Sequence, residues 1–164
     1  MRTVVESPIG GIGLIVVDGA VVEVSFDART RPGSGHDPGG DVLAVAAEQL
    51  REFFRGERTT FDLPLAIRRG SVFERAVWAA IARIPYGQTA SYGAIARSVG
   101  EPGAAQAVGL ACNRNPLPIV VPCHRVIGSD GKLVGFGGGL DRKRWLLGLE
   151  ARIEIERMFA DGLT

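Results

Sequence analysis

Cys123 and His124 are neighbours in a chain of 164 residues that contains only two cysteines and two histidines. The thiolate is the reactive form of cysteine, and a nearby imidazole is the usual way in which a protein generates it. An isolated Cys-His pair would equally suit a buried apolar cysteine with an incidental histidine. Adjacent side chains of an extended segment point to opposite sides, so catalysis requires that the chain turns here or that a water relays the proton. Glu150, which follows a helix that could fold back over the site, is the candidate for orienting the imidazole, although its position alone suits a solvated carboxylate at a helix end better.

The composition predicts a folded protein with reduced cysteines. Hydrophobic residues make up 46% of the chain, which supports a packed core and excludes a disordered protein. No apolar run approaches the roughly 20 residues that cross a bilayer, and the N-terminus lacks a signal-peptide pattern, so we expect a cytoplasmic protein without membrane contact. In a reducing compartment Cys123 and Cys112 are expected to be free thiols, Cys112 a structural one. Two cysteines and two widely separated histidines do not supply the ligands of a structural zinc, so no metal is expected.

The charge distribution is uneven although the net charge is only +1. Residues 1–70 carry eight Lys and Arg against ten Asp and Glu, whereas residues 71–149 carry nine against four. A basic second half is compatible with a phosphate-rich partner.

The first part of the chain has the pattern of a β-rich domain. Strands are predicted over the β-branched runs 4–6, 12–17 and 21–26, and Asp18-Gly19 between the last two predicts a hairpin. Residues 28–40 are rich in Gly, Pro and Arg and are expected to form a loop.

A helix and one more strand are expected before residue 70. Asp41 is expected to cap a helix that runs to about Phe54, where apolar residues recur at helical spacing. Residues 61–67 could form the additional strand.

The second part of the chain has the pattern of a helical domain. Ser71 and Glu74 complete a capping box at the start of its first helix. Two shorter helices over 92–99 and 104–112 are joined by a glycine-containing turn. This arrangement fits a helix-turn-helix, and a helical hairpin packed on a core fits it as well.

Small residues dominate the third of these helices. Ala104, Ala105, Ala107 and Gly109 leave almost no side chain to read base edges in a major groove. They permit close approach of the backbone, as a narrow minor groove would require, and close packing against the protein's own core explains them equally well.

A glycine-rich segment over residues 135–139 could wrap closely around a flat ligand. No Gly-Lys-Ser/Thr sequence follows it, which argues against a nucleotide triphosphate. Asp141 is expected to cap a final core helix through Leu149, and the tail 151–164 could extend as another helix.

Taken together, these residues resemble the O6-alkylguanine-DNA alkyltransferases, also called methylated-DNA–protein-cysteine methyltransferases. The resemblance spans residues 71–150 without gaps, and the Pro-Cys-His-Arg-Val core is highly specific, whereas residues 1–70 fit the variable N-terminal half of the family more loosely. The matching residues are Phe73, Val77-Trp78, Ile84-Pro85-Tyr86-Gly87, Ser91-Tyr92, Ala107-Val108-Gly109, Asn115-Pro116, Pro118-Ile119, Pro122-Cys123-His124-Arg125-Val126-Ile127-Gly128, Gly138-Gly139, Trp145-Leu146-Leu147 and Glu150.

The resemblance implies an α+β fold with two domains. A small β-rich N-terminal domain with one or two helices, RNase H-like in the family, would cover residues 1–70. A helical domain with a helix-turn-helix and the active-site cysteine would cover residues 71–164. The implied function is suicidal DNA repair: O6-alkylguanine is flipped out of double-stranded DNA, bound through the minor groove, and the alkyl group passes irreversibly to Cys123. No cofactor is called for, and a monomer is expected.

The resemblance also implies individual roles. His124 would act as a base through water with Glu150 completing the relay, Tyr92 would donate its hydroxyl to the guanine ring, and Asn115 would brace the active-site turn. Backbone carbonyls of Cys123 and Val126 would recognise the exocyclic amine of the base. Residues implied in substrate or DNA binding are Arg125, Val126, Phe136, Gly137, Gln106, Ala104, Ala105, Ala107, Gly109 and Arg114.

Three positions depart from the family pattern. Gln106 stands where an Arg usually enters the base stack, so we expect either weaker base extrusion or help from Arg114. Gly137 stands where a Ser or Ala is common, and Phe136 where a Tyr is common. Activity is expected to survive these changes.

Three other functions are compatible with parts of the pattern. A cysteine hydrolase would need direct contact between Cys123 and His124, for which adjacent residues are badly placed. A non-catalytic sensor of alkyl lesions would lack the acceptor cysteine, which is present here. A helix-turn-helix regulator would need longer side chains than the alanine-rich helix offers.

Overall fold

A computed structural model of the chain describes residues 1–29 and 41–162, with the side chain of Asp41 left out. The loop expected over 28–40 and the capping role of Asp41 therefore fall almost wholly outside the described residues. The chain divides into two compact units. The first comprises Met1–Arg69 and Pro116–Pro118, and the second Gly70–Asn115 and Ile119–Thr164.

The first unit is built on a three-stranded antiparallel sheet. Its strands, in spatial order, are β1 (Arg2–Val5), β2 (Ile12–Val17) and β3 (Ala20–Ser25). Asp18 and Gly19 between β2 and β3 have φ of 51° and 76°, as a two-residue turn of type I′ requires. The hairpin predicted at this dipeptide is confirmed.

Helix α1 (Asp41–Phe54) supplies much of the core of the first unit. The buried side chains of α1 are Leu43, Ala46, Ala47, Gln49, Leu50, Phe53 and Phe54. Gln49 holds the segment after α1 by two hydrogen bonds to the backbone of Asp62. Its amide donates to the Asp62 carbonyl at 3.0 Å and accepts from the Asp62 N–H at 2.9 Å.

The additional strand predicted over 61–67 is wrong. One isolated bridge joins Leu65 to Val21, with hydrogen bonds from Val21 N–H to Pro64 O and from Ala66 N–H to Val21 O. Proline has no N–H to donate, so Pro64 interrupts any longer ladder at this point.

The second unit begins with three helices, α2 (Val72–Ile81), α3 (Tyr92–Ser98) and α4 (Ala105–Asn113). Helix α2 begins at the predicted cap, and α3 and α4 begin and end within one residue of their predicted bounds. The capping box at the start of α2 is confirmed by both of its hydrogen bonds, from Glu74 N–H to Ser71 Oγ and from Ser71 N–H to Glu74 Oε1. Trp78 of α2 donates its indole N–H to Ala111 O of α4 at 2.8 Å, which fixes the two helices to each other.

The chain ends in one long helix, α5 (Leu140–Gly162). Two expectations are corrected here: the tail continues the same helix, and Asp141 lies inside the first turn rather than capping it. Gly148 weakens a helix by only about 1 kcal/mol relative to alanine, which is too little to end it. Across residues 1–29 and 41–162, no helix is long and apolar enough to span a membrane.

Two very short strands lie beside the reactive dipeptide. Residues Cys123–Arg125 form one turn of 3-10 helix, here called the Cys-His turn, and lead into β5 (Val126–Ile127). Strand β5 pairs in parallel with β4 (Ala90–Ser91), which immediately precedes α3. This pairing carries Tyr92, the first residue of α3, towards the Cys-His turn, although the two are far apart in sequence.

Candidate active site

The Cys-His turn holds its two reactive side chains in the protein interior. The chain turns at Cys123 instead of remaining extended. Cys123 is 5% exposed and His124 is fully buried. Backbone hydrogen bonds from Cys123 N–H to Val121 O at 2.8 Å and from Arg125 N–H to Pro122 O at 2.9 Å fix the turn.

Asn115 lies directly against the sulfur. Its Nδ2 donates to Cys123 Sγ at 2.9 Å and to Val121 O at 2.8 Å. The backbone N–H of Asn115 donates to Cys112 O at the end of α4. Asn115 therefore joins the end of α4 to the turn, through its backbone N–H on one side and its side-chain amide on the other, and the amide gives the sulfur a hydrogen-bond donor.

The Cys123 thiol is protonated in this environment. Burial raises the pKa of Cys123 well above its ordinary value, and a hydrogen bond with the Cys112 thiol raises it further. The donor group of Asn115 and the positive charge of Lys143 act in the opposite direction without outweighing burial. The thiol must therefore pass its proton to a base before it can act as a nucleophile.

Glu150 of α5 is the centre of a buried hydrogen-bond network. It accepts from His124 Nε2 at 2.5 Å, from Arg125 Nε at 2.8 Å and Nη2 at 3.1 Å, and from the Gly87 backbone N–H at 3.0 Å. Burial by itself would raise the pKa of Glu150, but the hydrogen bonds from His124 and Arg125 and the positive charge of Arg125 lower it overall. The carboxylate is ionised, although the residue is only 1% exposed.

The ionised carboxylate determines which nitrogen of His124 is basic. Burial lowers the pKa of His124, and the hydrogen bond with Glu150 only partly opposes this, so the imidazole is neutral. An ionised carboxylate has no proton to donate, hence Nε2 carries the imidazole proton and Nδ1 has the free lone pair. Nδ1 is buried and has no hydrogen-bond partner among the residues that the structure describes. It is the nitrogen that can receive a proton.

Arg125 points into the protein interior, towards Glu150. Besides its two bonds to Glu150, its Nη1 donates to the Ile84 carbonyl at 2.7 Å, and the guanidinium lies over the Tyr86 ring. The side chain is 8% exposed. In this structure the side chain of Arg125 holds Glu150 in place, and its expected contact with substrate or DNA stays a prediction.

Lys143 is a site residue that the sequence analysis missed. This fully buried side chain donates from Nζ to Val126 O at 2.6 Å, to Val134 O at 2.9 Å and to Tyr92 Oη at 3.3 Å. It thereby joins the strand after the Cys-His turn to the glycine-rich segment. Its position in the sequence could have indicated burial. Lys143 lies three residues before Leu146 and seven before Glu150, a spacing that places all three on the buried face of α5.

Tyr92 and the glycine-rich segment lie beside this lysine. The Tyr92 hydroxyl donates to Val134 O at 2.8 Å, and burial, the main cause, raises the pKa of Tyr92 to about 12. Phe136 is half-buried and Gly137 is exposed. A Cβ atom added at Gly137 would lie 3.6 Å from Asn113 O, an ordinary contact, so packing leaves room for a larger residue there.

Two family models match the chain. The DNA-binding domain of 6-O-methylguanine DNA methyltransferase matches residues 72–152, and the ribonuclease-like domain of the same family matches residues 1–67. The chain belongs to the 6-O-methylguanine DNA methyltransferase family. A methylated-DNA–protein-cysteine methyltransferase of Mycolicibacterium paratuberculosis is 52% identical over 152 residues, which cover 90% of each chain. The protein of that name from Methanosarcina acetivorans is 45% identical over 148 residues, covering 88% of this chain and 94% of the relative.

Solved structures agree with this membership. The crystal structure of Mycobacterium tuberculosis OGT in complex with DNA has a TM-score of 0.83 at 46% identity and covers 93% of both chains. An O6-methylguanine DNA methyltransferase from Methanococcus jannaschii has a TM-score of 0.67 at 27% identity, covering 91% of this chain and 93% of that one. The α+β fold class predicted from the sequence is confirmed.

Helix α4 presents small residues at its surface. Gln106 and Ala107 are exposed, Ala104, Ala105 and Gly109 are half-buried, and Val108, Ala111 and Cys112 face inward. Leu110, which the sequence analysis did not single out, is 61% exposed one helical turn after Gln106. A Cβ added at Gly109 would meet the Tyr92 ring only at 3.8 Å, so internal packing does not require glycine there.

Arg114 is poorly placed to act in place of Gln106. It follows the last residue of α4, and eight residues of helix correspond to about 12 Å along the axis. Its side chain is 74% exposed and lies 3.5 Å from the Glu74 carboxylate. The structure brings Cys123, His124, Asn115 and Glu150 together in one cluster but leaves Arg114 outside it.

Proposed function

We propose that this protein repairs alkylated DNA by flipping O6-alkylguanine out of the duplex and transferring the alkyl group to its own Cys123. The observation that carries the proposal is the cluster formed by the Cys-His turn and Glu150. His124 is hydrogen-bonded to Glu150, and Asn115 donates a hydrogen bond to the sulfur of Cys123. In a member of this family, such a cluster around an intact acceptor cysteine favours transfer over passive lesion binding.

The proposed step forms a bond between Cys123 Sγ and the alkyl carbon while the bond from that carbon to guanine O6 breaks. The electron pair of the broken bond stays on guanine. The thiol proton passes to His124 Nδ1 through a water, and Glu150 stabilises the resulting imidazolium through Nε2. Base assistance is needed because burial keeps the Cys123 thiol protonated.

Tyr92 is proposed to donate its hydroxyl hydrogen bond to the guanine ring as negative charge develops there. With a pKa of about 12 the hydroxyl keeps its proton at neutral pH. Lys143 donates to the same oxygen at 3.3 Å, which strengthens the hydroxyl as a donor. Binding of the base exchanges the present bond from Tyr92 to Val134 O for the bond to guanine.

Backbone groups are proposed to recognise the flipped base. The carbonyl of Val126 accepts from Lys143 at 2.6 Å, and its second lone pair can accept the exocyclic amine of guanine alongside the Cys123 carbonyl. Phe136 would form an aromatic wall. The backbone N–H of Gly137 would donate to the substrate oxygen in place of a side-chain hydroxyl.

The surface of α4 is proposed to enter the minor groove of DNA. Ala104, Ala105, Ala107 and Gly109 let the helix backbone approach closely, and Gln106 would occupy the space that the guanine leaves. Flipping is required because the sulfur cannot reach the alkyl carbon inside the base stack. The basic balance of residues 71–149 supports attraction to phosphate.

The product fixes the stoichiometry of the reaction. A thioether is a poor leaving group, so each molecule is expected to act once. A cytoplasmic location and a monomeric state stay predictions.

The deciding experiment is intact-mass analysis after mixing the protein with a duplex that contains one O6-methylguanine. We expect one added methyl group per molecule at saturation, located on the tryptic peptide 115–125 that contains Cys123. The Cys123→Ser variant should bind the duplex without gaining the methyl group, because groove and phosphate contacts do not involve the thiol.

Two results would contradict the proposal. Methyl transfer that persists in Cys123→Ser would place the acceptor elsewhere. Tight duplex binding without any adduct on the parent protein would identify a lesion sensor, with Gln106 and Gly137 as the first positions to examine.

A further inference from the structure

Helix α4 exposes one large apolar side chain among small and polar ones. Its exposed positions are Gln106, Ala107, Leu110 and Asn113. Within this helix, which the structure describes from Ala105 to Asn113, Leu110 is the large apolar residue that is exposed to solvent, to 61%. A single exposed leucine is ordinary on a protein surface, so its meaning depends on what lies beside it.

The neighbours of Leu110 on α4 border the active site. Gly109 lies beside Tyr92, since a Cβ atom added at Gly109 would be 3.8 Å from the Tyr92 ring. Asn113, one turn further along, lies beside the glycine-rich segment, because a Cβ added at Gly137 would be 3.6 Å from Asn113 O. Leu110 adjoins both positions on the helix, and its exposure shows that it points into solvent. It therefore lies on the outer side of the edge along which α4 meets the site.

Leu110 also shares a face of α4 with Gln106. It follows Gln106 by four residues, so the two side chains are neighbours, about 6 Å apart along the helix axis. This is the face that is proposed above to enter the minor groove. A base that leaves the stack loses its stacking contacts, and a side chain that compensates for this loss must offer apolar volume. Gln106 ends in a polar amide, so on this face Leu110 is the side chain that supplies such volume.

We propose that Leu110 is an apolar wedge that enters the minor groove beside Gln106 and stabilises the duplex in the state from which the alkylated guanine has been flipped out. Proteins that bind the minor groove insert leucine and similar side chains between base steps in this way. Burial of the exposed leucine against DNA is favourable and offsets part of the cost of unstacking. The inference rests on the proposed function and adds a second position of α4 to it. Leu110 acts before the alkyl group moves and does not touch the reacting atoms.

Two substrates separate this role from the chemistry of the site. Single-turnover transfer is measured with a duplex that contains one O6-methylguanine and with free O6-methylguanine, which needs no flipping. Leu110→Ala should lower the ratio of the duplex rate to the free-base rate about tenfold, the scale expected when most of a leucine side chain loses its buried contacts. Leu110→Met retains the apolar volume and should keep most of the ratio. Ile155→Ala is the matched control, since it shortens an apolar side chain that is 52% exposed on α5, and it should leave the ratio unchanged.

A second measurement reports base flipping without alkyl transfer. In the Cys123→Ser background, a 2-aminopurine placed next to O6-methylguanine in the duplex becomes more fluorescent when it loses its stacking partner. At saturating protein the fluorescence should rise with Cys123→Ser alone and rise less when Leu110→Ala is added. This measurement does not need the acceptor thiol, so it decides the role of Leu110 whether or not the parent protein transfers alkyl groups.

Three results would overturn the proposal. The first is an equal ratio of duplex to free-base rates in Leu110→Ala and the parent, and the second is equal 2-aminopurine fluorescence with and without Leu110→Ala. The third is a ratio that falls as far in Leu110→Met as in Leu110→Ala, because apolar volume would then not be the property that matters. A parent protein that transfers from neither substrate would contradict the proposed function instead, and the fluorescence measurement would still decide the role of Leu110.

Discussion

Replacing the buried carboxylate of Glu150 tests how the site is held together. Glu150→Gln keeps the shape and removes the negative charge that faces Arg125 at 2.8 and 3.1 Å and His124 at 2.5 Å. The Arg125 guanidinium would keep its contacts with the Ile84 carbonyl and the Tyr86 ring, but neither of these groups carries a compensating negative charge. Removing one partner of a buried pair costs about 3–5 kcal/mol, so we expect the free energy of unfolding to fall by that amount.

The same change should slow alkyl transfer. Without the carboxylate, the imidazolium formed on His124 loses its stabilising partner, and the tautomer with a basic Nδ1 is no longer enforced. General base catalysis contributes roughly 10²–10⁴-fold in rate, and we expect a loss of about 10²-fold for Glu150→Gln.

The assay is urea unfolding, compared with single-turnover transfer from a methylated duplex. Glu156→Gln is the matched control, the same substitution on the same helix, where the carboxylate pairs with Arg152 at 3.9 Å and both side chains are more than 60% exposed (64% and 63%). This control should change the unfolding free energy by no more than about 1 kcal/mol.

If the free energy of unfolding falls no further in Glu150→Gln than in the Glu156→Gln control, the reasoning is refuted. A double variant, Arg125→Met with Glu150→Gln, gives a second check. Removal of both charges should lower the free energy of unfolding by less than the sum of the two single changes, because no buried charge is then left unpaired.

Three further outcomes are expected. Gln106→Arg should transfer from duplex DNA at least as fast as the parent, since position 106 is exposed, and slower reaction on DNA with normal reaction of the free modified base would contradict this. Gly137→Ser should melt within a few degrees of the parent by calorimetry, because its Cβ would be 3.6 Å from Asn113 O, and a large drop would show that glycine is required. The folded-state pKa values of His124 and Glu150 are both lowered, so their contributions to stability are present above the ordinary values of 6.5 and 4.5 and are lost as pH falls. Unfolding free energy measured by urea should therefore decline from about pH 6.5 downwards and more steeply below about 4.5, whereas a rise on acidification would contradict the assigned directions.

Local elements were predictable where neighbouring residues decide the conformation. The Asp18-Gly19 turn, the Ser71–Glu74 capping box and the bounds of α3 and α4 follow from side chains within a few residues of each other. Local reasoning was wrong at 61–67, where Pro64 restricts pairing to a single bridge, and at the tail, which continues α5 because no residue there stops a helix.

The sequence by itself determined the family, the acceptor Cys123 as a candidate and its two proposed helpers His124 and Glu150, because these residue types occur in a specific order. Only the tertiary structure decided that Arg125 faces inward to Glu150 and that Lys143 is buried between Val126 O and Val134 O. Arg125 and Glu150 are separated by 25 positions and come together only when α5 packs on the Cys-His turn. Contacts of this kind depend on how the buried surfaces of different helices and strands pack together. The spacing of residues along the chain does not specify that packing.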